Sequence, residues 1–199
     1  MRLLVVSAAL CVTLPIASGC GLFEPRDPVK GGTISSCIQL TAADSAQATI
    51  QRSYGDPAGV TCYTGALDAS FAFHPDPTDS IEDSQSNPAI YSNWNLSVES
   101  RVAINLSADA AFCEAVFDSE VAPRNISSDG KIQTRFYAYH LNFRSRADTT
   151  LAHYQGLTDI TFQQGQGDAL WRITTWVDKR DTSGNPTWGR LRRNYRTGF

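Results

Sequence analysis

Ile132 to Ser145 reads IQTRFYAYHLNFRS, and its reading decides the fold. Alternation puts Tyr137, Tyr139, Leu141 and Phe143 on one face of a strand and Phe136, Ala138, His140 and Asn142 on the other. Two more β-type runs follow, Thr149 to Gln163 and Ala169 to Lys179, joined by the turn GQGD at Gly165 to Asp168 and closed by DTSGNP at Asp181 to Pro186. Long strands joined by short turns predict an antiparallel meander. Aromatic residues on both faces require one face to pack on helices and leave the other half covered or dimeric. For a homodimer through the sheet, Tyr137 or Trp171 should be buried only in the dimer.

Working back from the meander, the pattern turns helical. Ala43, Ala46, Ile50 and Tyr54 recur at helical spacing within Thr41 to Tyr54, and Asp56-Pro57 opens a second helix with the stripe Val60, Tyr63 and Leu67. Phe71 and Phe73 alternate as a short strand, which His74-Pro75-Asp76-Pro77 stops, and an acidic Pro- and Ser-rich loop follows. Asn93 to Leu106 carries two periods at once: Trp94, Val98, Val102 and Leu106 stand four apart, while Leu96, Val98, Val102, Ile104 and Leu106 also alternate. We read a helix there. Ala108 to Phe117 is helical in composition, and Pro123 to Lys131 (PRNISSDGK) has turn chemistry. Helices first and a meander last define an α+β domain with N-terminal helices packed on an antiparallel sheet.

The 199 residues, 42% hydrophobic and 19% charged, fit one globular domain. A net charge of −3 gives no overall pull toward nucleic acid. Charge is divided along the chain, with 5 basic and 15 acidic residues from Cys20 to Gly130 against 11 basic and 5 acidic from Lys131 to Phe199. Asp76, Asp79, Glu82 and Asp83 crowd one segment, and Arg190, Arg192, Arg193 and Arg196 another. A calcium or anion site is one reading of this polarity. Two halves packed against each other with solvated flanks is the simpler one.

At the N-terminus, Arg2 precedes the apolar run Leu3 to Ile16, whose fourteen residues are too few to span a bilayer. The run ends in Ala17-Ser18-Gly19-Cys20, which resembles the lipobox of bacterial lipoproteins. That resemblance implies a signal peptide over 1–19, a diacylglycerol thioether on Cys20 and attachment to the membrane through that lipid. Ala17 stands where such signals more often carry a larger aliphatic residue, and a plain secretory signal is the alternative. Gly21 in place of Asp resembles an outer-membrane destination. Residues 20–35, with FEPRDPVKGG at Phe23 to Gly32, read as a flexible tether, which leaves 36–199 as the domain. Cys37, Cys62 and Cys113 remain in it, enough for one disulfide, and the candidate pair is Cys37 with Cys62.

Helices, a short Phe-x-Phe strand, another helix and a meander resemble the nuclear transport factor 2-like cone, shared by ketosteroid isomerases and SnoaL-type polyketide cyclases. Leu67 to Asp76 (LDASFAFHPD) resembles the segment where such domains leave their second helix. Leu170 to Asp178 (LWRITTWVD) resembles their final strand, and Thr187 to Leu191 (TWGRL) a tail seen in envelope lipoproteins. The resemblance implies a curved sheet and an apolar pocket at the cone mouth for a small apolar ligand. Tyr54, Tyr63, Tyr139, His140 and Asp178 are the chemistry available to such a pocket, but none matches a catalytic motif of the family.

Trp94, Tyr139, His140, Trp176 and Asp178 are the pocket candidates, with His140 or Asp178 as the base and a Tyr as the donor in an enzyme. An enzyme would need His140 and Asp178 on one side of the sheet. No GxSxG, HExxH, phosphate-binding glycine loop or CxxC occurs, and no cofactor or metal is expected. The leading expectation is a non-catalytic, lipid-anchored binding or assembly domain of a bacterial envelope.

Overall fold

The computed structural model describes residues 37–85, 87 and 89–196. The signal peptide, Cys20 and the tether lie outside the described residues.

Helix α1 (Ala43–Ser53) forms where the Ala43, Ala46 and Ile50 stripe can be buried, and Ser45 closes its first turn by accepting from the Ala42 N–H at 3.0 Å. Helix α2 (Val60–Gly65) begins at Gly59 rather than at Asp56-Pro57, so that pair makes a turn and does not open the helix. Strand β1 (Leu67–His74) buries Leu67, Phe71 and Phe73. What was expected to be an acidic loop contains helix α3 (Pro77–Ser84), capped by the Asp76 carboxylate and started by Pro77. Helix α4 (Leu96–Asp109) resolves the double period in favour of the helix; Asn95 caps it, and Glu99, Val102, Ala103 and Leu106 point inward.

Ala108 to Phe117 is mostly strand, contrary to expectation. Strand β2 (Ala110–Ile126) turns Ala115 and Phe117 into the core, and its pairing with β3 (Ile132–Ser145) outweighs the helix preference of its alanines. It also absorbs the first residues of the expected loop, leaving a turn at 127–130. Strands β4 (Ala152–Gln164) and β5 (Trp171–Lys179) complete a curved sheet ordered β1-β5-β4-β3-β2. The β2 to β5 pairs are antiparallel, whereas β1 joins β5 in parallel, Leu67 opposite Ile173 and Phe73 opposite Trp176. A last short helix, α5 (Trp188–Asn194), follows the DTSGNP turn with Thr187 as its cap.

The helices cover the inner face, where Tyr137, Tyr139, Leu141 and Phe143 alternate inward as the sequence indicates. Tyr137 and Trp171 are buried by this chain's own helices and loops, so neither waits for a dimer to be covered. Across the layers, Arg135 Nη1 donates to Asp44 at 2.5 Å and Tyr137 Oη donates to Gln47 at 2.6 Å, which docks α1 on β3. Cys37 and Cys62 form a disulfide with Cα atoms 5.2 Å apart. It closes a loop with a sequence separation of 25, so Cys37→Ser is expected to lower stability by about 3 kcal/mol. A urea midpoint unchanged by the substitution would mean that the bridge constrains nothing in the unfolded chain.

Charges distant in sequence meet at one edge. Arg180 Nη2 lies 2.5 Å from Asp79 and 2.6 Å from Glu82, Arg190 Nη2 lies 2.5 Å from Glu82, and Arg193 pairs with Asp83. The acidic segment and the basic tail are thus the two sides of one junction. Among the described residues no cluster of side chains suited to a metal ion occurs.

Candidate functional site

The interior of the sheet and its helices is filled. Trp188, at the first position of α5, is fully buried with its ring 4.8 Å from Tyr54, 4.8 Å from Trp176 and 5.4 Å from Tyr139. One turn on, the Arg192 guanidinium lies over Trp176 at 4.0 Å and over Phe73 at 4.5 Å. This is a cation held by ring faces away from water, where such contacts are strongest.

Its counter-ion is Glu99 on α4, at 3.0 Å from Arg192 Nε, both side chains being fully buried. Tyr63 Oη and Trp94 Nε1 also donate to this carboxylate, the second at 2.6 Å. Three donors thus converge on one carboxylate buried away from water. Burial opposes the guanidinium charge, but Glu99 and the tyrosines outweigh it and hold Arg192 above its ordinary range.

On the sheet side a second buried carboxylate, Asp178 of β5, accepts from Tyr139 Oη at 2.7 Å and from the Gly189 N–H at 2.5 Å. Tyr139 Oη in turn accepts from the Trp188 N–H at 2.8 Å. Two of the amides that the first turn of α5 leaves unpaired are thereby satisfied from below. The approach depends on two glycines. A Cβ on Gly156 would stand 2.7 Å from Tyr139 Oη, and one on Gly189 3.0 Å from Asp178 Oδ2. Burial pushes the Tyr139 phenol well above its ordinary pKa, with the Asp178 charge adding to it, so Tyr139 acts as a donor.

Burial also pushes the Asp178 carboxyl up to about 6 from 3.8, against the pull of Tyr139 and Arg192. A carboxyl raised by folding stabilises the fold fully below about pH 4 and loses that contribution as pH rises through about 6. Ionised Asp178 therefore opposes folding at pH 7 by about 3 kcal/mol. The stability gap between wild type and Asp178→Asn is expected to shift by that amount between about pH 4 and pH 7, with wild type losing more as pH rises. Urea titrations across that range measure it. A gap independent of pH would show that Asp178 titrates normally.

Of the residues singled out from sequence, Trp94, Tyr139, Trp176 and Asp178 come together in this interior. His140 does not. It lies on the outer face, 42% exposed, with Nδ1 2.7 Å from Asp118, whereas Asp178 is fully buried on the inner face. His140 and Asp178 therefore cannot serve one pocket. Sequence reading also missed Glu99 and Arg192 as interior partners. Their signal is weak, because a charged residue inside an amphipathic helix reads as solvent-facing until its counter-charge is located. Surface pockets open at the rim, one of about 170 Å³ between Tyr154, Leu191 and Tyr195, another of about 440 Å³ beside Cys37, Leu40 and Leu170.

Comparison with solved structures places this architecture. A scytalone dehydratase candidate of Novosphingobium aromaticivorans covers 75% of this chain and 92% of its own at a TM-score of 0.55 and 7% identity. A candidate aromatic ring hydroxylase of the same organism covers 71% and 88% at 0.54 and 6% identity. The Kfla4162 protein of Kribbella flavida covers 76% and 99% at 0.52 and 12% identity. The fold is the nuclear transport factor 2-like cone. No family model matches the sequence, and no curated protein matches it. At these identities the likeness is one of fold. In this cone α5 occupies the interior.

Proposed function

We propose that this chain is a lipid-anchored bacterial envelope protein whose cone serves as a non-catalytic binding or assembly module. The observation that carries the reading is the filled interior. Tyr139 and Asp178, the pair best suited to acid/base work in a cone, have their hydrogen bonds taken up by the first amides of α5. A substrate would have to displace Trp188 and Arg192 before reaching them. The Cys37–Cys62 bridge supports an oxidising compartment, and Ala17-Ser18-Gly19-Cys20 supports a lipid on Cys20. Each acyl methylene buried contributes about 0.8 kcal/mol, so two or three chains make the attachment lasting. Gly21 supports the outer membrane.

The full-length protein made in a bacterium is expected to show an intact mass raised by acylation and to partition into detergent, both lost in Cys20→Ala. An unacylated, freely soluble wild type would overturn the anchor. The alternative reading, a ketosteroid isomerase-type or cyclase-type enzyme acting on a small apolar molecule, fails the condition set for it, because His140 and Asp178 lie on opposite faces of the sheet.

A further inference from the structure

The C-terminal segment sits in the cone as a ligand sits in a receptor. Thr187 donates to Asp79 at 2.5 Å, the Trp188 and Gly189 amides are read by Tyr139 and Asp178, and the indole fills an aromatic slot. The Arg192 guanidinium ends in the cage of Trp176 and Phe73 opposite Glu99. Every group that recognises the segment belongs to β1 to β5 or α1 to α4 and the loops between them, so the receiving surface is composed without α5. The spacing is that of one helical turn, Trp to Arg at i and i+4, with Gly where a Cβ would crowd Asp178.

Two features set the segment apart from an ordinary core helix. Its polar fit is incomplete: Arg192 Nη1 and Trp176 Nε1 are buried without a hydrogen-bond partner. Its outer side is fixed by Arg190 and Arg193, 30% and 32% exposed, to Glu82, 43% exposed, and to the buried Asp83, and the Glu82 pair is one that weakens in salt. The turn that joins it to β5 is mostly exposed and holds Gly184 at φ 76°. A short helix on an exposed turn, held by side chains of the cone and paired with no strand, can leave and return without disturbing a sheet ladder.

We propose that the cone is a peptide-binding site occupied in cis by residues 187–196, which it exchanges for a helical turn of another polypeptide bearing Trp and Arg at the same spacing. This rests on the assembly reading above and names its ligand class. The exchange makes and breaks no covalent bond. Its apparent affinity is reduced by the small fraction of time for which the resident segment is out.

The test uses the full chain and a fluorescently labelled synthetic peptide of residues 187–196, followed by anisotropy. Saturable binding is expected, at least tenfold weaker for peptides carrying Trp188→Ala or Arg192→Ala. In the protein, Arg193→Ala removes its pair with Asp83, which keeps Tyr91 and Arg190 as partners, and leaves the contacts of Trp188, Gly189 and Arg192; it is expected to tighten peptide binding by about fivefold. Hydrogen exchange supplies the second readout, with the Trp188 and Gly189 amides exchanging through an opening that leaves β3 and β4 protected. No saturable binding, or equal binding by a scrambled peptide, would overturn the proposal. So would α5 amides that exchange only with global unfolding. None of these results touches acylation of Cys20, so the anchor reading stands or falls separately.

Discussion

Replacing Arg192 with alanine is expected to lower the unfolding free energy by about 3–5 kcal/mol, because it leaves the Glu99 carboxylate buried and without its counter-ion. The ring contacts to Trp176 and Phe73 go with it. For a domain of this size the loss corresponds to a fall in Tm of roughly 10–15 °C. The cause can be separated from lost packing. Arg192→Met restores much of the apolar volume but still strands the carboxylate, whereas Arg192→Met combined with Glu99→Gln removes both charges. The double variant is expected to be more stable than Arg192→Met alone. Thermal unfolding of the three proteins decides it, and a double variant no more stable than the single one would place the cost in packing.

Trp188→Ala is the second large effect, about 3–5 kcal/mol, since it empties a slot walled by Tyr54, Tyr139 and Trp176 that is too rigid to collapse fully. The resulting cavity has the shape of an indole and mostly apolar walls. Free indole is therefore expected to raise the Tm of Trp188→Ala in a concentration-dependent way and to leave wild type unchanged. A variant that loses less than about 1 kcal/mol would show that the slot closes by itself.

The cone was legible where pattern and packing agree. Ile132 to Ser145 alternates without a fault, and its strand has those bounds. Legibility failed where tertiary pairing overrode local preference. Ala108 to Phe117 has the composition of a helix, yet a neighbour offering a long ladder and an inward place for Phe117 made most of it strand. The cap signals were unequal in the same way. Asp56-Pro57 and Asp76-Pro77 are the same pair of letters, and both carboxylates accept from the amide two residues on, Ala58 at 2.9 Å and Thr78 at 2.8 Å; only the second starts a helix, and only there is the carboxylate also held by a distant group, the Arg180 N–H at 2.9 Å.

The site was half legible. Aromatic residues and Asp178 on the last strand could be placed inside by alternation, whereas Glu99 and Arg192 gain meaning only from each other, 93 residues apart. The division of charge between the halves was visible in sequence. Its resolution into Arg180, Arg190 and Arg193 against Asp79, Glu82 and Asp83 needed the fold.

The position of α5 in the chain also has a consequence for timing. Strand β1 cannot be placed until β5 exists, since Leu67 pairs with Ile173, and the interior is not filled until Trp188 and Arg192 follow. Until α5 docks, the five strands surround an unfilled aromatic chamber that contains two carboxylates, Glu99 and Asp178. Such a species is sticky and partly charged inside, the kind that a holding chaperone recognises and that aggregates when left alone. The filling lies close in sequence to the strand that receives it, whereas Leu67 must find Ile173 across most of the domain, so closing the walls should be the slow step and the arrival of α5 the fast one.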